Sequence, residues 1–126
     1  MFKRRRLWLV IGITIIAILV AISISKYQSM IRDSKETALK QNLFEIRRVI
    51  DQYIKDKQQA PHSLQDLVDA GYFRQLPIDP MTDSNSSWKP VVQTIVVSPG
   101  QSSRGITDLH SGSISISSNG TSYSVW

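Results

Sequence analysis

The feature that most limits how this chain can fold is an apolar stretch without any charge, residues 7–25, near the N-terminus. As a helix, these 19 residues would be about 28 Å long, close to the roughly 30 Å hydrocarbon core of a bilayer. Trp8 and Tyr27 stand near the two ends of the stretch, as aromatic residues often do at membrane interfaces. The stretch therefore predicts one transmembrane helix.

Four basic residues directly precede this stretch: Lys3, Arg4, Arg5 and Arg6. Basic flanks of a transmembrane helix remain in the cytoplasm, so we expect the N-terminus inside and the C-terminal part outside. The predicted organisation is a cytoplasmic basic cap (residues 1–6), a transmembrane helix (7–25) and an extracytoplasmic domain (26–126). With 126 residues in total, the chain has room for one such domain with a modest core.

A cleaved signal peptide is the alternative interpretation of the apolar stretch. Ala21-Ile22-Ser23 would be a poor cleavage site of the small-x-small type. The apolar part of a signal peptide is usually about 7 to 15 residues long, which is shorter than this stretch. We therefore predict that the chain stays in the membrane without cleavage.

The net charge of +5 depends mostly on the basic cap. Beyond the cap there are eleven Lys and Arg residues, which is 15 less 4, against ten Asp and Glu residues. Such a near balance argues against a domain that binds nucleic acid by neutralising phosphates. Cysteine is absent, which excludes disulfides and thiol catalysis.

A second apolar pattern, with helical spacing, follows the transmembrane stretch. Its steps of three and four residues place one stripe on a helix that would continue from the membrane to about Lys57. We expect this stripe to pack beneath a sheet that contains Val92, Ile95 and Ile106. The more polar residues 26–40 are the expected contact surface for other subunits. The predicted core residues of the stripe are Leu43, Ile46, Ile50 and Tyr53.

Pro61 is expected to end the long helix, and a short helix should follow it. Ser63 is its predicted N-cap and Gly71 its predicted stop. Pro77 and Pro80 then favour an extended, packed loop over residues 72–81.

The remaining sequence is rich in β-forming residues and turn signals. Residues 91–97, 105–109, 113–117 and 122–126 predict three or four short antiparallel strands packed on the helical stripe. Asn119-Gly120 predicts a type I′ hairpin turn flanked by Ile116 and Tyr123.

Few residues suggest chemistry. The two histidines, His62 and His110, are far apart in sequence and have no metal-ligand spacing. Asp79, Asp83 and Asp108 could meet around calcium, but that ion needs six to eight oxygen ligands, and such acids are usually caps and turn formers. We predict no enzyme activity, no cofactor and no assigned metal site, and leave calcium open.

Several short motifs occur in an order that points to a known family. They are residues 38–47 and 50–53, then Ala60-Pro61-His62-Ser63-Leu64, Gly71-Tyr72 and Leu76-Pro77-Ile78-Asp79-Pro80, with closing segments at 105–113 and 119–126. Together they resemble the major pseudopilins of bacterial type II secretion systems, members of the type IV pilin superfamily. The motif positions singled out are Pro77, Asp79, Pro80, Asp108, Ser111, Gly112 and Trp126.

The resemblance implies an α+β, type IV pilin-like fold, in which one long N-terminal helix packs on a small antiparallel sheet. It also implies a structural protein of the bacterial inner membrane with a periplasmic domain. Such subunits stack into a short filament that acts in protein secretion. The implied partners are the lipid bilayer, other pilin-like or secretion-system subunits, and further copies of the chain, but not nucleic acid.

The sequence departs from the family at its N-terminus. Family members have a leader ending in Gly, then Phe and a nearby Glu, where a prepilin peptidase cuts. Aligning Tyr27 with the family places the mature start near Arg4 and the Glu position near Trp8. Two functions therefore remain open: a pseudopilin-like subunit, or an anchored interaction domain that kept the fold but does not polymerise. In either case, we expect no long homopolymers, because Arg4, Arg5 and Arg6 lack a carboxylate partner in an apolar filament core.

Overall fold

The structure, a computed structural model, describes residues 2–126, and only the main chain of Phe2. Met1, which belongs to the predicted basic cap, lies outside the described residues. The elements are α1 (Phe2–Lys57), α2 (Gln65–Asp69), β1 (Lys89–Ser98), β2 (Gln101–His110) and a 3-10 turn, η1 (Tyr123–Val125). A long N-terminal helix and a two-stranded antiparallel sheet confirm the predicted α+β fold, which is compatible with a pilin-like arrangement. The chain divides into two compact units, one ending at Ser34 and the other covering Lys35–Trp126.

The first unit contains the apolar stretch of α1. Among residues 2–126, α1 is the one helix long and apolar enough to cross a membrane, and none of its apolar stretch is buried by the rest of the protein. Two hydroxyl groups within it are satisfied locally: Thr14 donates to the Val10 carbonyl (2.8 Å) and Ser23 to the Leu19 carbonyl (2.9 Å). This pairing suits a hydrocarbon environment, where no water is available. The unit thus fits a single-pass membrane anchor.

The second unit has its core on one face of α1. The four stripe residues named above are all buried, and Leu39 extends the same face by one turn. Opposite them, β2 contributes Ile106 and Leu109, both at most 2% exposed. β1 contributes no residue to this core, and Val92 is 48% exposed. Of the three sheet residues expected to pack on the stripe, Ile106 is in the core, whereas Val92 is exposed and Ile95 is only half-buried outside the core, because β2 alone supplies the hairpin's buried side chains.

The sheet has fewer strands than predicted. β1 and β2 form an antiparallel hairpin, with bulges between Val91 and Val92 and between Val96 and Ser98. In the described residues after His110, the strand pattern is reduced to one isolated bridge, between Ile116 and Ser122. The prediction of three or four strands was therefore wrong.

Local hydrogen bonds explain the missing strands. The Ser111 hydroxyl accepts from the Ser113 N–H, the Ser113 hydroxyl from the Ser115 N–H, and the Ser122 hydroxyl from the Ser124 N–H. Serine side chains that bind the main chain two residues on compete with strand ladders. The β-forming residues of this segment are consequently held as a sequence of turns.

The Asn119-Gly120 turn is present, but it is not of type I′. That type requires a positive φ at both central residues, whereas Asn119 has none and Gly120 has a φ of 86°. The Gly120 N–H donates to the Ser117 carbonyl, and the Ser117 N–H donates to the Thr121 carbonyl. The central residues of the turn are therefore Ser118 and Asn119, and the glycine follows them in the left-handed region.

The short helix α2 begins and ends by different means. Leu64, not Ser63, occupies its N-cap, and it makes no capping hydrogen bond with its side chain. The carboxylate of Asp66 instead accepts from the N–H groups of His62 and Ser63, reaching back from the first turn. At the other end, Gly71 lies at a φ of 86°, and Tyr72 donates to the Leu67 carbonyl, which is the Schellman arrangement. The Ser63 cap was thus wrong and the Gly71 stop is confirmed.

Candidate interaction surfaces and the contacts that shape them

The basic cap lies at the start of α1. The side chains of Lys3, Arg4, Arg5 and Arg6 are all exposed in the first turns of that helix. No ionisable side chain occurs between Arg6 and Lys26. A sharp boundary thus separates charged from apolar helix surface.

Glu36 joins α1 to the C-terminal turns. Its side chain is 7% exposed, and its carboxylate accepts from the Ser118 N–H (2.8 Å), the Ser118 hydroxyl (2.6 Å) and the Tyr123 hydroxyl (2.7 Å). A buried carboxylate is costly unless hydrogen bonds replace its hydration. These three donors meet that requirement and fix residues 118–123 against the helix.

Arg47 makes a second connection between the same parts of the domain. Its Nε donates to Asp108 Oδ1 (2.6 Å), and its Nη2 donates to the main-chain oxygens of Leu109 (3.0 Å) and Trp126. Burial by itself raises the pKa of the Asp108 carboxyl. Hydrogen bonds from Arg47 and the Leu109 N–H outweigh that effect and hold the pKa below its ordinary value. One guanidinium thus joins α1, β2 and the last described residue.

Asp79 is the third connection, and it brings together several of the predicted motif residues. The fully buried carboxylate accepts from the Ser111 hydroxyl (2.6 Å), the Gly112 N–H (3.3 Å) and the Met81 N–H (2.9 Å). Its main-chain N–H donates to the Ser84 carbonyl at 2.9 Å. Pro80 follows Asp79 in the turn that these bonds stabilise. Asp79 therefore ties this turn to the segment that follows β2.

The other motif residues lie around this connection. The Pro77 carbonyl accepts from the indole N–H of the buried Trp88 at 2.8 Å. Gly112 packs so closely on Ser87 that a Cβ atom there would overlap the Ser87 carbonyl oxygen. Asp108 and Trp126 are brought together separately, through Arg47. The motif residues thus serve the internal packing of the domain.

An open groove lies beside the Arg47 connection. Its volume is about 460 Å³, and it runs between α1 and the C-terminal turns. Phe44 and Val125, which line it, are 69% and 65% exposed, and Lys40 stacks over the Trp126 ring at 5.0 Å from the centroid. Exposed aromatic and aliphatic side chains beside a cation form a surface suited to protein contact.

The first unit has exposed apolar residues beyond the predicted membrane span. Tyr27 and Met30 are 66% and 68% exposed, and Ile31 is 38% exposed. They belong to the predicted contact segment 26–40. On the same segment, Glu36 and Leu39 are buried within the second unit and belong to its interior, whereas Lys35 and Lys40 are exposed.

Within residues 2–126, no group of three or more His, Asp or Glu side chains is arranged to hold a metal ion. Two of the three acids considered for calcium are engaged separately, since Asp79 accepts from Ser111 and Asp108 accepts from Arg47.

A comparison with protein-family models, curated proteins and solved structures finds no match for this chain.

Sequence reasoning missed Glu36 as a structural residue. The available signal was its position, three residues before Leu39, on the same helical stripe as the core. A carboxylate on a stripe that becomes buried requires hydrogen-bond donors, and the serine-rich C-terminal segment supplies them.

Proposed function

We propose that this chain is a pseudopilin-like structural subunit of a bacterial type II secretion or type IV pilus-like assembly. In this proposal α1 anchors the chain in the inner membrane, with the basic cap in the cytoplasm and the second unit in the periplasm. The subunit acts in protein secretion by joining other pilin-like subunits.

The composition of α1 is the observation that carries the proposal. After its basic first turns, a single helix carries a fully apolar, unburied stretch and then ends with one face buried in a small α+β domain. Pilin-like subunits need both parts, because the apolar part spans the bilayer and the amphipathic part holds the domain. The order of the sequence motifs supports the same assignment.

The N-terminal departures favour an accessory subunit over the main component of a filament. Packing Arg4, Arg5 and Arg6 into an apolar helix bundle without a carboxylate partner would cost several kcal/mol. Cells that overproduce this chain alone should therefore show no long filaments by electron microscopy. Abundant filaments built only from it would contradict the accessory role.

Deletion of the gene in its bacterial source tests the function. We expect the deletion to reduce a defined set of secreted proteins or surface filaments, and the wild-type chain to restore them. A variant with Phe44→Glu, altered in an exposed groove residue, should reach the membrane in normal amount but restore secretion poorly. Unchanged secretion and filaments in the deletion strain would instead favour an anchored interaction domain that does not polymerise.

A further inference from the structure

The two edges of the hairpin differ in how they are covered. On β2, the Ile106 N–H donates to the Pro61 carbonyl at 2.8 Å, and the Ser103 hydroxyl accepts from the Ala60 N–H at 2.9 Å. Residues 60 and 61 therefore lie along the outer edge of β2. β1 pairs with β2 on one side, and no other main-chain group of residues 2–126 hydrogen-bonds to it. The outer edge of β1 is open.

Devices that block edge pairing occur towards both ends of β1. Lys89 and Pro90 lie at its start, and the bulge between Val96 and Ser98 leaves Val97 as an extra residue near its end; a charge, a proline and a bulge are all features that natural sheets use against edge-to-edge pairing. Residues 92–96, between these features, carry no charge and no proline. This part of the strand is rich in β-branched residues and remains available for pairing.

One face of this open segment is symmetric about Thr94. Val92, Thr94 and Val96 alternate along the strand and point to the same side. Val92 is 48% exposed, Val96 is 77% exposed, and Thr94 is exposed between them. Read in either direction, this face presents Val, Thr and Val.

We infer that β1 pairs antiparallel with β1 of a second copy of this chain, centred on Thr94. In that register Val92 lies opposite Val96 of the second copy, and Thr94 lies opposite Thr94. Aliphatic pairs and Thr–Thr pairs stabilise adjacent strands, and no like charges meet. A second copy fits this edge because it supplies the complementary face and an equally open edge.

Pairing of this kind closes after two copies. A two-fold interface uses the same surface on both partners, so it forms a four-stranded sheet and leaves no β1 edge for a third. The inference goes beyond the proposed function, since it requires neither a filament nor secretion.

Cysteine cross-linking of the full chain in membranes tests the pairing. The chain contains no cysteine, so a single introduced thiol reports one position. Directly opposed residues have Cα atoms about 4.5 to 5.5 Å apart, which a disulfide can bridge. Thr94→Cys should therefore give a dimer on mild oxidation. Ser102→Cys, an exposed control on β2, should not, because the two β2 strands would be about 14 Å apart.

Three further variants test the register and the edge. Val92→Cys and Val96→Cys should cross-link when the two chains are co-expressed, and neither should cross-link alone. Adding Val96→Lys to Thr94→Cys should abolish the dimer without unfolding the domain, because residue 96 is largely exposed.

Cross-linking of Thr94→Cys no stronger than that of Ser102→Cys would overturn the inference. A dimer from Val92→Cys alone would overturn the register. Since the readout is pairing, these results are independent of any secretion defect.

Discussion

At the scale of single residues, the domain depends on buried polar groups that each have several partners. Glu36 is the clearest case, because its carboxylate accepts three hydrogen bonds from residues more than eighty positions away in sequence. Glu36→Gln keeps the shape of the side chain but replaces one acceptor oxygen by an amide donor. We expect the free energy of unfolding to fall by about 1 to 3 kcal/mol, the usual effect of leaving buried donors unpaired.

Thermal unfolding of the full chain in detergent measures this loss. Tyr123→Phe is the matched control, because it removes one of the three donors and leaves the carboxylate with the other two. We expect Tyr123→Phe to lower the melting temperature less than Glu36→Gln does. Equal stability of Glu36→Gln and the wild type would show that the carboxylate does not hold the C-terminal turns.

Asp108 predicts a pH dependence at the same scale. Its pKa is lowered in the folded state, so the folded protein favours the charged form. The charged Asp108 carboxylate stabilises the folded protein fully at pH values above the pKa of about 3.9 that the group has in the unfolded chain. This stabilisation is lost as the pH falls through the lower pKa of the folded state. Asp108→Asn should therefore be less stable at pH 7 and lose less stability between pH 5 and pH 3. If the unfolding free energies of Asp108→Asn and the wild type change with pH in parallel, Asp108 does not cause the pH dependence.

At the scale of elements, the buried face of α1 is the main source of packing in the domain. Ile50 is fully buried on this face, and a buried Ile truncated to Ala usually costs about 2 to 5 kcal/mol. Phe44→Ala, on the exposed side of the same helix, should change stability by less than about 0.5 kcal/mol. Thermal unfolding of both variants checks the difference. A change in melting temperature of under a degree or two for Ile50→Ala would show that Ile50 is not packed in the core.

The elements also show what the sequence could predict. Helical spacing located α1 and its core residues, since a stripe of apolar side chains has few other uses. Periodicity failed after His110, because alternating serines look like a strand pattern yet bind their own main chain. It also failed for Val92, because the pattern does not reveal which strand of a hairpin faces the helix.

The connections between distant segments lay beyond sequence reasoning for a related reason. Arg47 and Glu36 find partners that are decided only when the C-terminal turns fold back on α1. Motif resemblance singled out Asp79, Ser111 and Gly112, but only the structure showed that they form one hydrogen-bonded group.

At the scale of the whole molecule, the account predicts an uncleaved, single-pass protein with its N-terminus in the cytoplasm. Mass spectrometry should find a chain that starts near residues 2–6; a start near Ile24 would indicate signal-peptide cleavage. Single cysteines test the topology in the same preparation. A membrane-impermeant maleimide should label Ser86→Cys on spheroplasts and Lys3→Cys only after permeabilisation. The reverse pattern would contradict the proposed orientation.

The proposed function requires this chain to contact other pilin-like subunits. A photo-cross-linking amino acid in place of Phe44, in the groove beside α1, tests it in native membranes, with exposed Ser86 as the control position. We expect adducts from position 44, and not from position 86, that mass spectrometry identifies as pilin-like membrane proteins. Adducts from position 44 that contain only unrelated envelope proteins would contradict the claim.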